Sequence, residues 1–288
     1  MINRRTFLKS SVVALPMMSL SVSRLWAAQH LPLGVQLYTV RKQAEGGLSA
    51  ILKEIRGIGY EEVETYWNVY THPAPELRGM IHDAGLRVPS GHFNYDGLSG
   101  KFEYAKELGV DWMVCPMLPK SQQTSLAGFH TAAKQFNEWG KHAKDMGMRF
   151  AFHNHDYEFR EFDGPSGKQT GYDILLAETD PALVFFEMDC YWIAQSGNDP
   201  VKMLHRLGDR ARMIHLKDRK PGFAPSNDMS ESSSHFTEVG HGNIDWKAVL
   251  DTAQSMRIEH YFVEQDETPG NPIASIQSSY QYLRTILS

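Results

Sequence analysis

Four short apolar runs in the C-terminal half of the chain end in side chains that bind metals or move protons. Residues two apart in a strand face the same way. In Phe150-Ala151-Phe152-His153-Asn154-His155 that rule puts His153 and His155 on one face and the phenylalanines on the other. The next run places Glu187 and Asp189 together, the third Met213, His215 and Lys217, and the fourth Phe262, Glu264 and Asp266. Interior ionisable groups are costly unless paired or bound to a metal. Four in succession therefore point to one divalent ion, with Glu158, just beyond the first of these runs, Asp189, His215 and Glu264 as the expected ligands. Oxygen and nitrogen donors without a thiolate suit Mn²⁺, Mg²⁺, Co²⁺ or Zn²⁺. Three carboxylates would neutralise the ion and leave the site anionic, which favours a neutral, hydroxyl-bearing substrate over a phosphate.

The elements that must position these groups alternate short β-rich runs with helical ones, the pattern of a parallel sheet covered by helices. Eight strands are predicted: Leu33–Tyr38, Glu61–Thr65, Arg87–His92, Trp112–Pro116, Arg149–His155, Leu183–Asp189, Ala211–Leu216 and Tyr261–Glu264. Helical stretches lie between them, among them Leu48–Ile58, Ala74–Ala84, Phe129–Met146 and Trp246–Met256. Gly59, Gly85, Gly109 and Gly147 each follow a helix and precede a strand, as a left-handed C-terminal residue does. The expectation is a single (β/α)₈ barrel over residues 29–288. A doubly wound open sheet usually carries a glycine-rich phosphate turn after its first strand; here Tyr38-Thr39-Val40-Arg41 follows instead. Two long loops, Arg160–Thr170 and Arg219–Gly242, would project from the C-terminal face, where barrel enzymes build their sites.

Residues 1–28 read as a signal of the twin-arginine type. Arg4 and Arg5 precede a weakly apolar run from Ser11 to Val22, with Ala27-Ala28 as the cleavage point. The run is too short to span roughly 30 Å of hydrocarbon, so the expected partner is the export machinery and the expected location the periplasm. That route carries folded proteins, which would allow Mn²⁺ to be loaded before copper or zinc could outcompete it; Mn²⁺ is the expected ion. The chain carries a net charge of −5, and losing the four basic residues of the signal makes it more acidic still. A net acidic chain without a lysine or arginine run argues against nucleic acid as a partner. Cys115 and Cys190 read as buried thiols.

These features resemble the xylose isomerase-like barrel family, the sugar phosphate isomerases/epimerases. The matching segments include Gly34-Val35-Gln36-Leu37-Tyr38, Gly59-Tyr60-Glu61-Glu62-Val63-Glu64, Pro89-Ser90-Gly91-His92-Phe93 and Phe152-His153-Asn154-His155-Asp156-Tyr157-Glu158-Phe159. They continue through Glu187-Met188-Asp189-Cys190-Tyr191-Trp192, His215-Leu216-Lys217-Asp218 and Val263-Glu264-Gln265-Asp266. The resemblance implies four ligands from the last four strands: Asp189, His215, Glu264 and, from the fifth, Glu158 with His153 as its rival. It also implies His155 as the catalytic base or acid and Lys217 as the charge facing a developing oxyanion. His153, Trp192, His92 and Glu64 are then expected to line the substrate site.

Plainer roles compete with some of these. Glu187, two residues deeper than Asp189, suits orienting a ligand better than binding the ion. Lys217 and Asp218 could pair internally, and His92 could be a satisfied core histidine. His235 and His241 read as surface residues, and the tryptophans at 67, 112, 139 and 246 as packing. The activity implied is metal-dependent isomerisation or epimerisation of a sugar by proton transfer next to a carbonyl. Alternatives are a lyase or hydratase acting on 3-keto sugars or their glycosides, and a non-catalytic sugar-binding barrel.

Overall fold

The computed structural model describes residues 31–165, 167–232 and 234–287. The signal expected over residues 1–28 lies outside them. Eight parallel strands close into a barrel: β1 Gly34–Gln36, β2 Glu62–Thr65, β3 Arg87–His92, β4 Trp112–Cys115, β5 Arg149–His153, β6 Val184–Asp189, β7 Ala211–Leu216 and β8 His260–Val263. Each pairs with its neighbours in sequence, and β8 closes on β1 through Gly34 opposite Phe262. This is the expected (β/α)₈ barrel.

The strand alternation predicted from spacing is observed. Trp112, Val114, Ala151, Met213 and Phe262 pack inside the barrel with Phe185 against them. Phe150, Phe152, Val184, Phe186, Met188, Ile214, Leu216 and Val263 belong to the larger cluster shared with the helices. The interior is full at this level: a Cβ on Gly34 would meet the Phe262 ring at 2.5 Å. Interiors this dense have low compressibility, so the C-terminal strand ends stand on a rigid floor.

The four glycines expected to end helices all take positive φ: Gly59 at 122°, Gly85 at 76°, Gly109 at 88° and Gly147 at 81°. Two of the strands are shorter by more than one residue than the apolar runs that mark them. The first run turns into a 3-10 helix at Leu37–Val40, because the Gln36 side chain accepts from the Tyr38 amide and curls the backbone there. The fifth ends at His153, where Asn154 leaves the ladder and exchanges hydrogen bonds with the backbone of Asp189 instead. The loop after β5 is a hairpin, Glu161–Gly164 against Gly167–Thr170. The loop after β7 begins and ends in a two-residue ladder, Asp218–Arg219 against Phe236–Thr237. Cys115 and Cys190 are free and buried. No helix among the described residues is long and apolar enough to cross a membrane.

Candidate metal centre

The ends of β5 to β8 deliver their ionisable side chains to one place. His153 Nε2 lies 3.9 Å from Asp189 Oδ2, His215 Nδ1 3.8 Å from the same oxygen, and His215 Nδ1 3.0 Å from Glu264 Oε2. One donor atom from each of these four residues lies within 4.8 Å of the others, and all four side chains are buried. Ligands about 2.1 Å from one ion sit roughly 3–3.5 Å from each other, so a small contraction would close them on a cation.

Asp189 shows how local structure aims a ligand. Its Oδ1 caps the helix Cys190–Gln195 by accepting from the Trp192 amide at 2.9 Å. Its Oδ2 is buried and accepts no hydrogen bond, with the Lys217 ammonium 3.4 Å away as its ion-pair partner. A buried carboxylate oxygen that accepts no hydrogen bond is costly, and a cation among His153, His215 and Glu264 would satisfy it more closely. Burial raises the Asp189 pKa to about 7. The residues present therefore fit a divalent metal.

Below this group lies a layer of carboxylates that hold the imidazoles. Glu187 Oε2 is 3.0 Å from His153 Nδ1, 2.7 Å from His92 Nε2 and 3.2 Å from His215 Nε2. Glu64 Oε2 is 2.6 Å from His215 Nε2 and is itself held by Gln36, while Ser90 donates to Glu64 Oε1. His92, His153, Glu187 and His215 also form a group that could hold an ion. Their atoms already stand at hydrogen-bond distance around Glu187, so this layer orients the ligands. Burial works against charge on His92, but Glu64 and Glu187 outweigh it and lift its pKa to about 9.

The cavity above the metal group has a volume of about 370 Å³ and is lined in part by His92, His153, His155, Lys217, Glu264 and Asp266. Lys217 Nζ lies 2.5 Å from Asp266, 2.8 Å from Glu264 and 3.4 Å from Asp189. Burial opposes its charge, but these carboxylates outweigh burial and raise its pKa well above the usual lysine range. His155 packs 5.1 Å from the Trp192 ring. Burial, reinforced by the Lys217 ammonium, pushes its pKa well below the usual value. One neutral imidazole and one ammonium therefore face the same space.

The structure separates the expected site residues. His153, Asp189, His215 and Glu264 come together, while Glu158 belongs to neither group that could hold an ion. Glu158 sits one 3-10 turn past β5, where its Oε2 accepts from the His155 amide at 3.0 Å. His153, at the last position of β5, is the side chain that reaches the group. His92, His153, His155 and Lys217 line the cavity; Glu64 and Trp192 do not. Glu64 is too deep, behind His215, and Trp192 stands behind His155. Lys217 pairs with three carboxylates from other strands, whereas Asp218 turns the opposite way and binds Gly240, Gly242 and Trp246. Of the lining residues without an expected role, Asp266 shares the period-two face of Glu264. Trp67, expected as packing, lines the cavity as well, and Tyr38, expected at the end of the first strand, reaches it from the 3-10 turn that follows; Met117 and Met229 come from beyond strand ends, where spacing carries no signal.

Fold and site together define a (β/α)₈ barrel whose mouth carries a buried His/Asp/Glu cluster able to hold a metal. The chain belongs to the Xylose isomerase-like TIM barrel family, which it matches over residues 52–286. Among curated proteins it is 28% identical over 238 residues to an inosose dehydratase of Clostridium botulinum, covering 78% of this chain and 71% of that protein. An inosose dehydratase of Clostridium tetani is 29% identical over 164 residues, covering 53% of this chain and 52% of the relative. The match thus spans about half the length of that second relative. Among solved structures, a sugar phosphate isomerase/epimerase from Parabacteroides distasonis superposes with a TM-score of 0.76 at 23% identity, covering 90% of this chain and 100% of that one. An IOLI protein with a bound zinc atom superposes with a TM-score of 0.66 at 17% identity, covering 90% and 98%.

Proposed function

We propose that this protein is a metal-dependent lyase that removes water from a polyhydroxylated ring ketone, a keto sugar or keto cyclitol. The observation that carries the reading is the placing of His155 and Lys217 in one cavity with the metal-facing side chains His153 and Glu264. Loss of water next to a ketone needs a group that takes a proton from carbon and a group that gives one to the departing hydroxyl.

His155 accepts the proton from the carbon next to the carbonyl. The electron pair of that C–H bond forms the new double bond as the C–O bond one carbon further on breaks. Lys217 donates a proton to the leaving hydroxyl, which departs as water. His153, Asp189, His215 and Glu264 would hold a divalent ion such as Mn²⁺, Co²⁺ or Zn²⁺, which would supply Lewis acidity toward the carbonyl. Similarity to one inosose dehydratase over 78% of the chain supports elimination over the isomerisation that the family resemblance also implies. The two reactions share the first proton transfer and part at its outcome. The proposed signal over residues 1–28 would place the reaction in the periplasm.

The test is incubation of the metal-loaded protein in D₂O with an inosose, 3-ketoglucose and common ketoses, followed by mass spectrometry. Loss of water from a ring ketone is the expected result. Deuterium uptake with no loss of water would instead make the protein an isomerase or epimerase. Tight binding with neither would make it a sugar-binding barrel.

A further inference from the structure

The ammonium of Lys217 stands between two kinds of wall. On one side are the Trp192 and Phe236 rings, each centred 5.2 Å from Nζ, and the Tyr191 ring at 6.0 Å. Ring faces attract a cation through their quadrupole, without a directed hydrogen bond. On the other side are three carboxylates: Asp266 Oδ1 at 2.5 Å, Glu264 Oε2 at 2.8 Å and Asp189 Oδ2 at 3.4 Å. The carboxylates therefore set where the ammonium points.

Two of the three have another role. Asp189 Oδ2 and Glu264 Oε2 are the same atoms that face His215 Nδ1, at 3.8 and 3.0 Å, within the group that could hold an ion. Asp266 stands outside that group, so a cation there would not compete for its contact with Lys217. An ammonium has three donors. One spent on Asp266 leaves others to face a departing hydroxyl.

Asp266 lies past the end of β8, in a stretch without helix or strand before Pro272. Such segments move unless they are tied down. This one is tied to the first loop of the barrel. Arg41 Nη1 donates to Asp266 O at 2.6 Å and to Tyr38 O at 2.9 Å, and Nη2 donates to Glu267 Oε1. The Gln265 amide donates to Thr39 Oγ1 at 3.1 Å. Both latches cross the seam where β8 closes on β1. Arg41 does not line the cavity above the metal group, so it acts there only through what it holds.

We propose that Arg41 and Asp266 are positioning residues for the proton donor Lys217: Arg41 fixes the loop that carries Asp266, and Asp266 aims the ammonium at the leaving oxygen. The inference rests on the reading above, loss of water from a ring ketone, and adds what places the acid. His155 takes the proton from carbon, its electron pair becomes the double bond, the C–O bond breaks, and the leaving oxygen collects its proton from Lys217. A leaving group that needs no proton should then be indifferent to Arg41 and Asp266.

The experiment compares an inosose and 3-ketoglucose with analogues carrying fluorine in place of the departing hydroxyl. The metal-loaded wild type, Arg41→Ala and Asp266→Asn are assayed for release of water and of fluoride, and for metal per chain. In both variants water loss is expected to fall about 100-fold, the scale of a misplaced catalytic group. Fluoride loss is expected to fall less than about threefold, since fluoride departs without general acid help. Metal per chain is expected to stay at the wild-type value. An equal fall for both leaving groups, loss of metal in either variant, or water loss that does not change would overturn the inference and leave the parent reading standing. A wild type that releases neither water nor fluoride from any of these rings would overturn the parent reading itself.

Discussion

His153 Nδ1 lies 3.0 Å from Glu187 Oε2, and the other nitrogen of the same ring faces Asp189 Oδ2 at 3.9 Å. The contact to Glu187 fixes which nitrogen carries the proton and turns the free one toward the metal group. Asp189 achieves the same division with its two oxygens, one spent on the Trp192 amide and one presented. Ligand direction in this barrel is therefore set from outside the ligands, by the carboxylate layer below for His153 and by the Trp192 amide for Asp189.

Removing that layer should weaken the centre without removing a ligand. Glu187→Gln keeps the shape and loses the charge that holds His153, His92 and His215. Metal affinity measured by chelator competition is expected to fall about 10- to 100-fold. Unaltered affinity would show that Glu187 does not orient the histidines.

The choice between the two fifth-strand candidates is open to direct measurement. His153→Ala is expected to lose the metal, read as ions per chain by mass spectrometry, and turnover with it. Glu158→Gln is expected to keep both, because Glu158 stands outside the group of side chains that could hold the ion. Metal loss in Glu158→Gln alone would reverse the assignment.

Glu158 has a second consequence, in stability. Burial raises its carboxyl from 4.5 to about 8, so the folded protein holds this proton more tightly than the unfolded chain does. The resulting stabilisation is fully present below pH 4.5 and is lost as pH rises to about 8. Glu158→Gln should flatten this part of the stability profile of the metal-free protein, with its largest relative gain above pH 8. Denaturant midpoints collected across that window would show it, and a mutant profile parallel to the wild type would refute it.

Asp218 anchors the long loop after β7. It accepts from Gly240 N at 2.9 Å, Gly242 N at 3.1 Å and Trp246 Nε1 at 2.7 Å. Asp218→Ala leaves these donors without a partner, at about 1–3 kcal/mol for each one that stays buried. A loss of roughly 3 kcal/mol or more is expected in chemical denaturation, together with faster proteolysis between residues 219 and 245. A loss under about 1 kcal/mol would mean that water replaces the carboxylate.

Much of this protein is legible in one dimension. The period-two alternation marked Ala151 and His153, Glu187 and Asp189, His215 and Lys217, and Glu264 and Asp266 as interior pairs. Glycines at helix ends marked the return to each strand. Glu158 and Trp192 show where that reading stops. Both lie just past a strand end, where the chain turns into a helix and alternation no longer says which way a side chain points.

The sequence by itself determined the barrel, the strands that carry the chemistry and the face on which it lies, because these follow from backbone geometry and local apolar spacing alone. Only the tertiary structure decided that His153 and not Glu158 joins Asp189, His215 and Glu264, and that Lys217 meets carboxylates from two other strands. It also brought Tyr38, Trp67, Met117 and Met229 to one cavity. Those relations depend on how strands far apart in the chain come to lie side by side, and on loops held by long-range hydrogen bonds such as those to Asp218. No local pattern encodes them.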